Sequence, residues 1–187
     1  PAKAKLLIQK FSPGPITFLL QKKSIIPDLV TSGLDTVAVR IPDHPLALRL
    51  LRQLEFPLAA PSANPFGYIS PTTASHVFDQ LEGKIPYIID GGSTSIGVES
   101  TIVGFTKKEP GEEEEEVIIY RLGGLSVEEI EKAVGSVTLN VNESSNPLSP
   151  GMLKSHYAPR KKLLFNPGIQ VEASGIGVIA FNKELTE

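Results

Sequence analysis

Two small polar side chains, Ser62 and Asn64, stand in a loop that an apolar stretch, Phe56-Pro57-Leu58-Ala59-Ala60, runs into. Just downstream, Ser70-Pro71-Thr72-Thr73 reads as a helix start, with Ser70 as N-cap and Pro71 at the first helical position. A hydroxyl, a carboxamide and an open helix N-terminus so close together suit an anionic ligand such as a phosphate. Unpaired backbone N–H groups and the helix dipole both favour negative charge there. The same residues also fit a polar turn and a well-capped helix that bind nothing. A covalent nucleophile is the poorer reading of Ser62, because no paired His and base are visible from the sequence.

Arg40 is the second candidate. It lies near the C-terminal end of a β-branched strand, Thr36-Val37-Ala38-Val39-Arg40-Ile41. A guanidinium there is costly to bury unless paired, so it either faces solvent at an edge or lines a polar cavity. Gly91-Gly92-Ser93-Thr94-Ser95 follows another apolar stretch, and its glycines allow close backbone approach to a ligand. It is not a P-loop, since no Gly-Lys-Ser/Thr follows.

The elements that must position these groups alternate between helix and strand. A helical pattern over Ala4 to Phe11 is stopped by Ser12-Pro13-Gly14-Pro15. Ile16 to Leu20 is a strand, Ile25 to Leu34 a connector or short helix, and 45–54 an amphipathic helix opened by Asp43 and Pro45. Phe56 to Ala60 and Pro86 to Asp90 read as buried strands. Gly97 to Val103 reads as a strand, with Val98–Phe105 and Val117–Arg121 as hairpin partners joined by the run Glu112 to Glu116, a solvated loop. Ser126-Val127-Glu128-Glu129 is a capping box opening a helix to Val134, and Val137 to Val141 a final strand.

At 187 residues the chain has room for one full domain and part of a second. With no cysteine, disulfides and thiolate metal sites are excluded. No apolar run reaches the length of a membrane span, and no signal peptide is visible, which predicts a soluble, cytoplasmic protein. The net charge of −3 argues against a generally basic nucleic-acid surface.

Several of these segments together resemble a known family. FPLAAPSAN followed by SPTTASHV is similar to the central signature of the YrdC family, the threonylcarbamoyl-AMP synthases. The turn Pro13 to Thr17, the GVEST element at 97–101 and the segment Ser149-Pro150-Gly151-Met152…His156-Tyr157-Ala158-Pro159 agree in order, the last resembling the linker of two-domain members. The resemblance implies an α/β fold, a twisted mixed sheet with flanking helices around a concave nucleotide cavity. It divides the chain into a catalytic domain over 1–141, an interdomain linker or lid over 142–162, and the start of a Rossmann-like α/β domain over 163–187.

It also implies an activity: synthesis of threonylcarbamoyl-AMP and pyrophosphate from L-threonine, bicarbonate and ATP, with Mg2+ accompanying ATP, for modification of tRNA by a downstream threonylcarbamoyl transferase. Thr36, Ser62, Ser70, Arg121 and Tyr157 would contact ATP. Arg40, Ala60 (through its backbone) and Ser100 would contact threonine. Ser62 and Asn64 are two members of the family's catalytic Lys, Arg, Ser, Asn tetrad. The Lys-x-Arg pair lies, in the family, upstream of the first residue here. The expectation is therefore a chain cut at both ends and inactive unless complemented. A module binding double-stranded RNA or tRNA without catalysis is the alternative, but it has no use for Ser62, Asn64, Ser100 and Arg121 as a set.

Overall fold

Local chemistry sets most element boundaries in the computed structural model, which describes residues 1–107 and 115–140. α1 (Ala2–Phe11) ends where Pro13 and Pro15 lack the N–H that another helical turn needs. β1 (Ile16–Gln21) follows, then a single turn, α2 (Asp28–Thr31), closed by Ser32 and Gly33 in left-handed conformation, and β2 (Thr36–Val39). α3 (Pro45–Leu51) and α4 (Ala74–Leu81) come next. The chain then makes a hairpin of β3 (Thr101–Lys107) and β4 (Glu115–Arg121), then α5 (Val127–Val134) and β5 (Thr138–Leu139).

The five strands form one mixed sheet in the order β2-β1-β3-β4-β5. β1 runs antiparallel to β2 and parallel to β3, β4 runs antiparallel to β3, and β5 runs parallel to β4. One face carries the core: Ile16 and Phe18 of β1, Val103 of β3, and Val117 and Ile119 of β4. Leu7 of α1 and Leu125, Ile130 and Val134 at α5 cover them. Each such side chain contributes about 1.5–3 kcal/mol when fully withdrawn from water. α1 has no cap of its own; the Glu115 carboxylate accepts the Ala2 and Lys3 N–H groups at 2.8 Å each and so caps it from β4. α5 has the expected capping box, Ser126 with Glu129.

The opposite face of the sheet carries Thr17 and Ile102. Here the β3–β4 register breaks: Val103 pairs with Ile119, yet Ile102 pairs with Arg121, leaving Tyr120 as an extra residue. By simple alternation Arg121 would share the core face with Val117 and Ile119. The bulge returns it to the face of Ile102. Gly104 makes room there, since a Cβ on it would stand 2.6 Å from the Tyr120 ring. Burial, with Glu116 nearby, holds the Tyr120 phenol above its ordinary pKa.

Several expectations are corrected. Phe56–Ala60 and Pro86–Asp90 are irregular, and Phe56 and Ile89 are 61% and 65% exposed. An apolar stretch becomes a strand only where another strand supplies hydrogen-bond partners, and neither stretch has one among the described residues. α3 stops at Leu51 rather than continuing to residue 54, and β3 starts at Thr101 rather than Gly97. Glu115 and Glu116 belong to β4, not to a loop. The linker with Tyr157 and the segment 163–187 lie outside the described residues.

Candidate functional site

The sheet topology gathers four segments at one end. β1 and β3 are parallel and start there, while β2 and β4 are antiparallel to them and finish there. The turn at Gly14-Pro15, Arg40 just past β2, Ser100 just before β3 and Arg121 at the end of β4 therefore converge. Backbone hydrogen bonds hold them: Gly14 N–H to the Ile41 carbonyl at 3.0 Å, Thr101 N–H to the Pro15 carbonyl at 2.9 Å, and Gly124 N–H to the Glu99 carbonyl at 2.8 Å.

Arg121 clasps Ser100. Its Nε and Nη2 donate to the Ser100 carbonyl at 3.1 and 3.0 Å, and Nη2 also donates to Ser100 Oγ at 3.2 Å. Thr17 Oγ1 and Ser100 Oγ share a buried hydrogen bond of 2.7 Å. Arg40 donates through Nε to the Gly14 carbonyl at 3.1 Å. Its terminal nitrogens make no hydrogen bond or ion pair among the described residues. Partial burial of the guanidinium lowers the Arg40 pKa, and the positive charge of Arg121 lowers it further. Two guanidinium groups held within electrostatic range of each other, one with its outer nitrogens open, form a place for an anion.

Among the described residues, the other expected ones make no hydrogen bond to Arg40, Ser100 or Arg121. Thr36 is half-buried at the far end of β2, about 13 Å from Arg40 at the usual strand rise. Ala60 and Ser62 are exposed in the irregular segment. Asn64 donates through Nδ2 to the Pro65 and Tyr68 carbonyls at 3.0 Å each and closes the turn that contains Gly67, at φ 82°. Ser70 is not the helix cap. The cap is Thr73, whose hydroxyl accepts the His76 N–H at 3.2 Å, while Thr72 bonds to the His76 ring. With both Ser-Pro and Thr-Ala offering a cap, local sequence alone does not choose between them.

Ser70 instead donates its hydroxyl to the Glu99 carboxylate, which ties the Ser70 segment to the Ser100 end of the sheet. Two grooves, one lined by Leu6, Gln9, Lys10, Lys132 and Ala133 and the other by residues 78–88, do not reach the cluster. Sequence reading missed three partners: Thr17, Glu99 and the Gly14 carbonyl. A hydroxyl inside the otherwise apolar strand Ile16–Leu20 was the available signal for Thr17.

Comparisons with known proteins bear on this arrangement. Residues 1–123 match the family model for Sua5, YciO and YrdC, described as "Telomere recombination". Residues 125–184 match the model described as the C-terminal domain of threonylcarbamoyl-AMP synthase. The threonylcarbamoyl-AMP synthase of Pyrococcus abyssi is 44% identical over 172 residues, 90% of this chain and 48% of that protein. That of Bacillus subtilis is also 44% identical, over the same shares. That of Schizosaccharomyces pombe is 41% identical over 97% of this chain and 45% of its own. The crystal structure of P. abyssi Sua5 complexed with L-threonine superposes with a TM-score of 0.77, at 45% identity over 85% of this chain and 46% of that one. The chain thus spans about half the length of the curated relatives it matches.

Proposed function

The chain belongs to the Sua5, YciO and YrdC family, and from that premise we propose that the protein carrying it makes threonylcarbamoyl-AMP and pyrophosphate from L-threonine, bicarbonate and ATP. The threonine amine first attacks the bicarbonate carbon, forming the N–C bond of threonylcarbamate as water is lost. A carbamate oxygen, not the α-carboxylate, then attacks the α-phosphorus of ATP, and the new P–O bond forms as the bond to the β-phosphate oxygen breaks and pyrophosphate leaves. Both reactants are anions, so the protein's part is to neutralise and align them. Magnesium enters with the triphosphate as part of that substrate. The product is destined for modification of tRNA in the cytoplasm.

One observation carries this reading: Arg40, Ser100 and Arg121 converge at one end of the sheet, with the outer nitrogens of Arg40 open. Arg40 takes the threonine carboxylate, with Ser100 and the Ala60 backbone as further threonine contacts. Arg121, Ser70, Ser62, Thr36 and Tyr157 serve ATP, and Ser62 with Asn64 serves the reacting centre. Glu99 keeps Ser70 tethered to the Ser100 end.

The test is pyrophosphate release by the whole protein with L-threonine, bicarbonate and Mg-ATP, each omitted in turn. Release that requires all three is expected. Arg40→Ala should raise the KM for threonine at least tenfold, since a charge-assisted hydrogen bond contributes about 1.5–3 kcal/mol. Release indifferent to threonine would overturn the proposal.

A further inference from the structure

We infer that Thr17 is a positioning residue for the amino-acid substrate: it holds the Ser100 hydroxyl as a donor aimed at a substrate oxygen. The inference rests on the assignment of Ser100 to the threonine pocket and adds a residue and a polarity to it.

Thr17 and Ser100 are 8% and 4% exposed, so water has little access to either hydroxyl. An arginine has only protons to give, so the Arg121 Nη2 contact at 3.2 Å fills one lone pair of Ser100 Oγ. The remaining question is the direction of the 2.7 Å bond between Ser100 and Thr17. If Ser100 donated, the Thr17 proton would be left within β1, between Ile16 and Phe18, with no acceptor among the described residues. Stranding a buried donor is costly.

If Thr17 donates, its proton is satisfied and both lone pairs of Ser100 Oγ are filled, one by Thr17 and one by Arg121. Ser100 then has a single unused group, its own proton. That proton sits at the end of the sheet where Arg40 and Arg121 converge, and a substrate carboxylate or hydroxyl oxygen can accept it. An ammonium group cannot. Thr17 thereby sets the polarity of the pocket without touching the substrate.

The whole protein carrying Thr17→Val, a near-isosteric change without the hydroxyl, is assayed for pyrophosphate release beside Thr17→Ser and Ser100→Ala. The KM for L-threonine should rise about tenfold in Thr17→Val with the KM for ATP unchanged, and Thr17→Ser should restore it to within about twofold. In a Ser100→Ala background, Thr17→Val should add no further rise, because the hydroxyl that it orients is gone. If Thr17→Val does not fold, Thr17→Cys, with a weak donor of similar size, carries the same test. An unchanged threonine KM, or equal rises for threonine and ATP that Thr17→Ser does not correct, overturns the positioning role alone. A Ser100→Ala protein with an unaltered threonine KM overturns the assignment of Ser100 and the inference together.

Discussion

Gly123→Ala tests whether the polar cluster depends on backbone packing at the end of β4. A Cβ on Gly123 would stand 2.4 Å from the Glu99 carbonyl oxygen and 2.5 Å from both the Ser100 carbonyl carbon and the Thr101 nitrogen. Ordinary contact begins near 3.4 Å, so the two backbones must separate by about 1 Å. The backbone that must move is pinned by Gly124 N–H on the Glu99 carbonyl at 2.8 Å and by Thr101 N–H on the Pro15 carbonyl at 2.9 Å. A displacement of that size breaks both bonds and loosens the Arg121 grip on the Ser100 carbonyl. Losing two or three hydrogen bonds near 1 kcal/mol each, plus overpacking strain, gives roughly 3–5 kcal/mol of destabilisation. Urea unfolding followed by circular dichroism measures it. For a folding unit of roughly 150–250 residues the same loss lowers Tm by roughly 10 °C. A loss below about 1 kcal/mol would refute the close-approach argument, because it would mean that the two backbones can part freely.

Two further outcomes are expected. Ser126→Ala removes one half of the capping box of α5 and should cost about 1 kcal/mol in the same unfolding experiment, with no effect on the KM for threonine. Glu115 has its carboxyl held below the ordinary range, first by the Lys3 N–H bond and further by that of Ala2. A carboxylate with a lowered native pKa stabilises the fold above its unfolded pKa and loses that contribution as the pH falls through the native value. Glu115→Gln should therefore be less stable than the parent at pH 7 by about 0.5–1 kcal/mol, with the difference shrinking below pH ~4. A gap that stays constant from pH 7 to acid would show that charge has no part in that cap.

What was legible in the sequence was what short-range chemistry decides. The capping box of α5, the proline stop after α1 and the β-branched strands β1, β2 and β3 all depend on residues within a few positions of one another. Phe56–Ala60 and Pro86–Asp90 have the composition of strands but no ladder partner, and composition cannot reveal a missing partner. Arg40 is legible as a charge that needs solvent or a polar cavity, although β2 ends at Val39 and leaves it just past the strand rather than within it. The side of the sheet on which Arg121 lies was beyond reach. Its spacing from Val117 and Ile119 places it in the core, and only the unpaired Tyr120 turns it away. The helix cap was ambiguous for a different reason. Ser70 and Thr73 compete on equal local terms, and in the structure Thr73 caps the helix while Ser70 bonds to Glu99, distant in sequence.

The parallel pairing of β1 with β3 sets an order of events in folding. Thr17 and Ser100 are 83 residues apart, and closing a loop of that length costs about 4 kcal/mol in chain entropy before any contact repays it. The neighbouring hairpin of β3 and β4 closes over a shorter span, 21 residues between Ser100 and Arg121, at a cost lower by about 1 kcal/mol. The Arg121–Ser100 and Arg40–Gly14 contacts, 21 and 26 residues apart, can therefore form early within their own strand pairs, while the Thr17–Ser100 bond must wait for the long-range pairing. The complete cluster then appears only with that closure, so the Thr17–Ser100 hydrogen bond marks finished folding rather than partial structure.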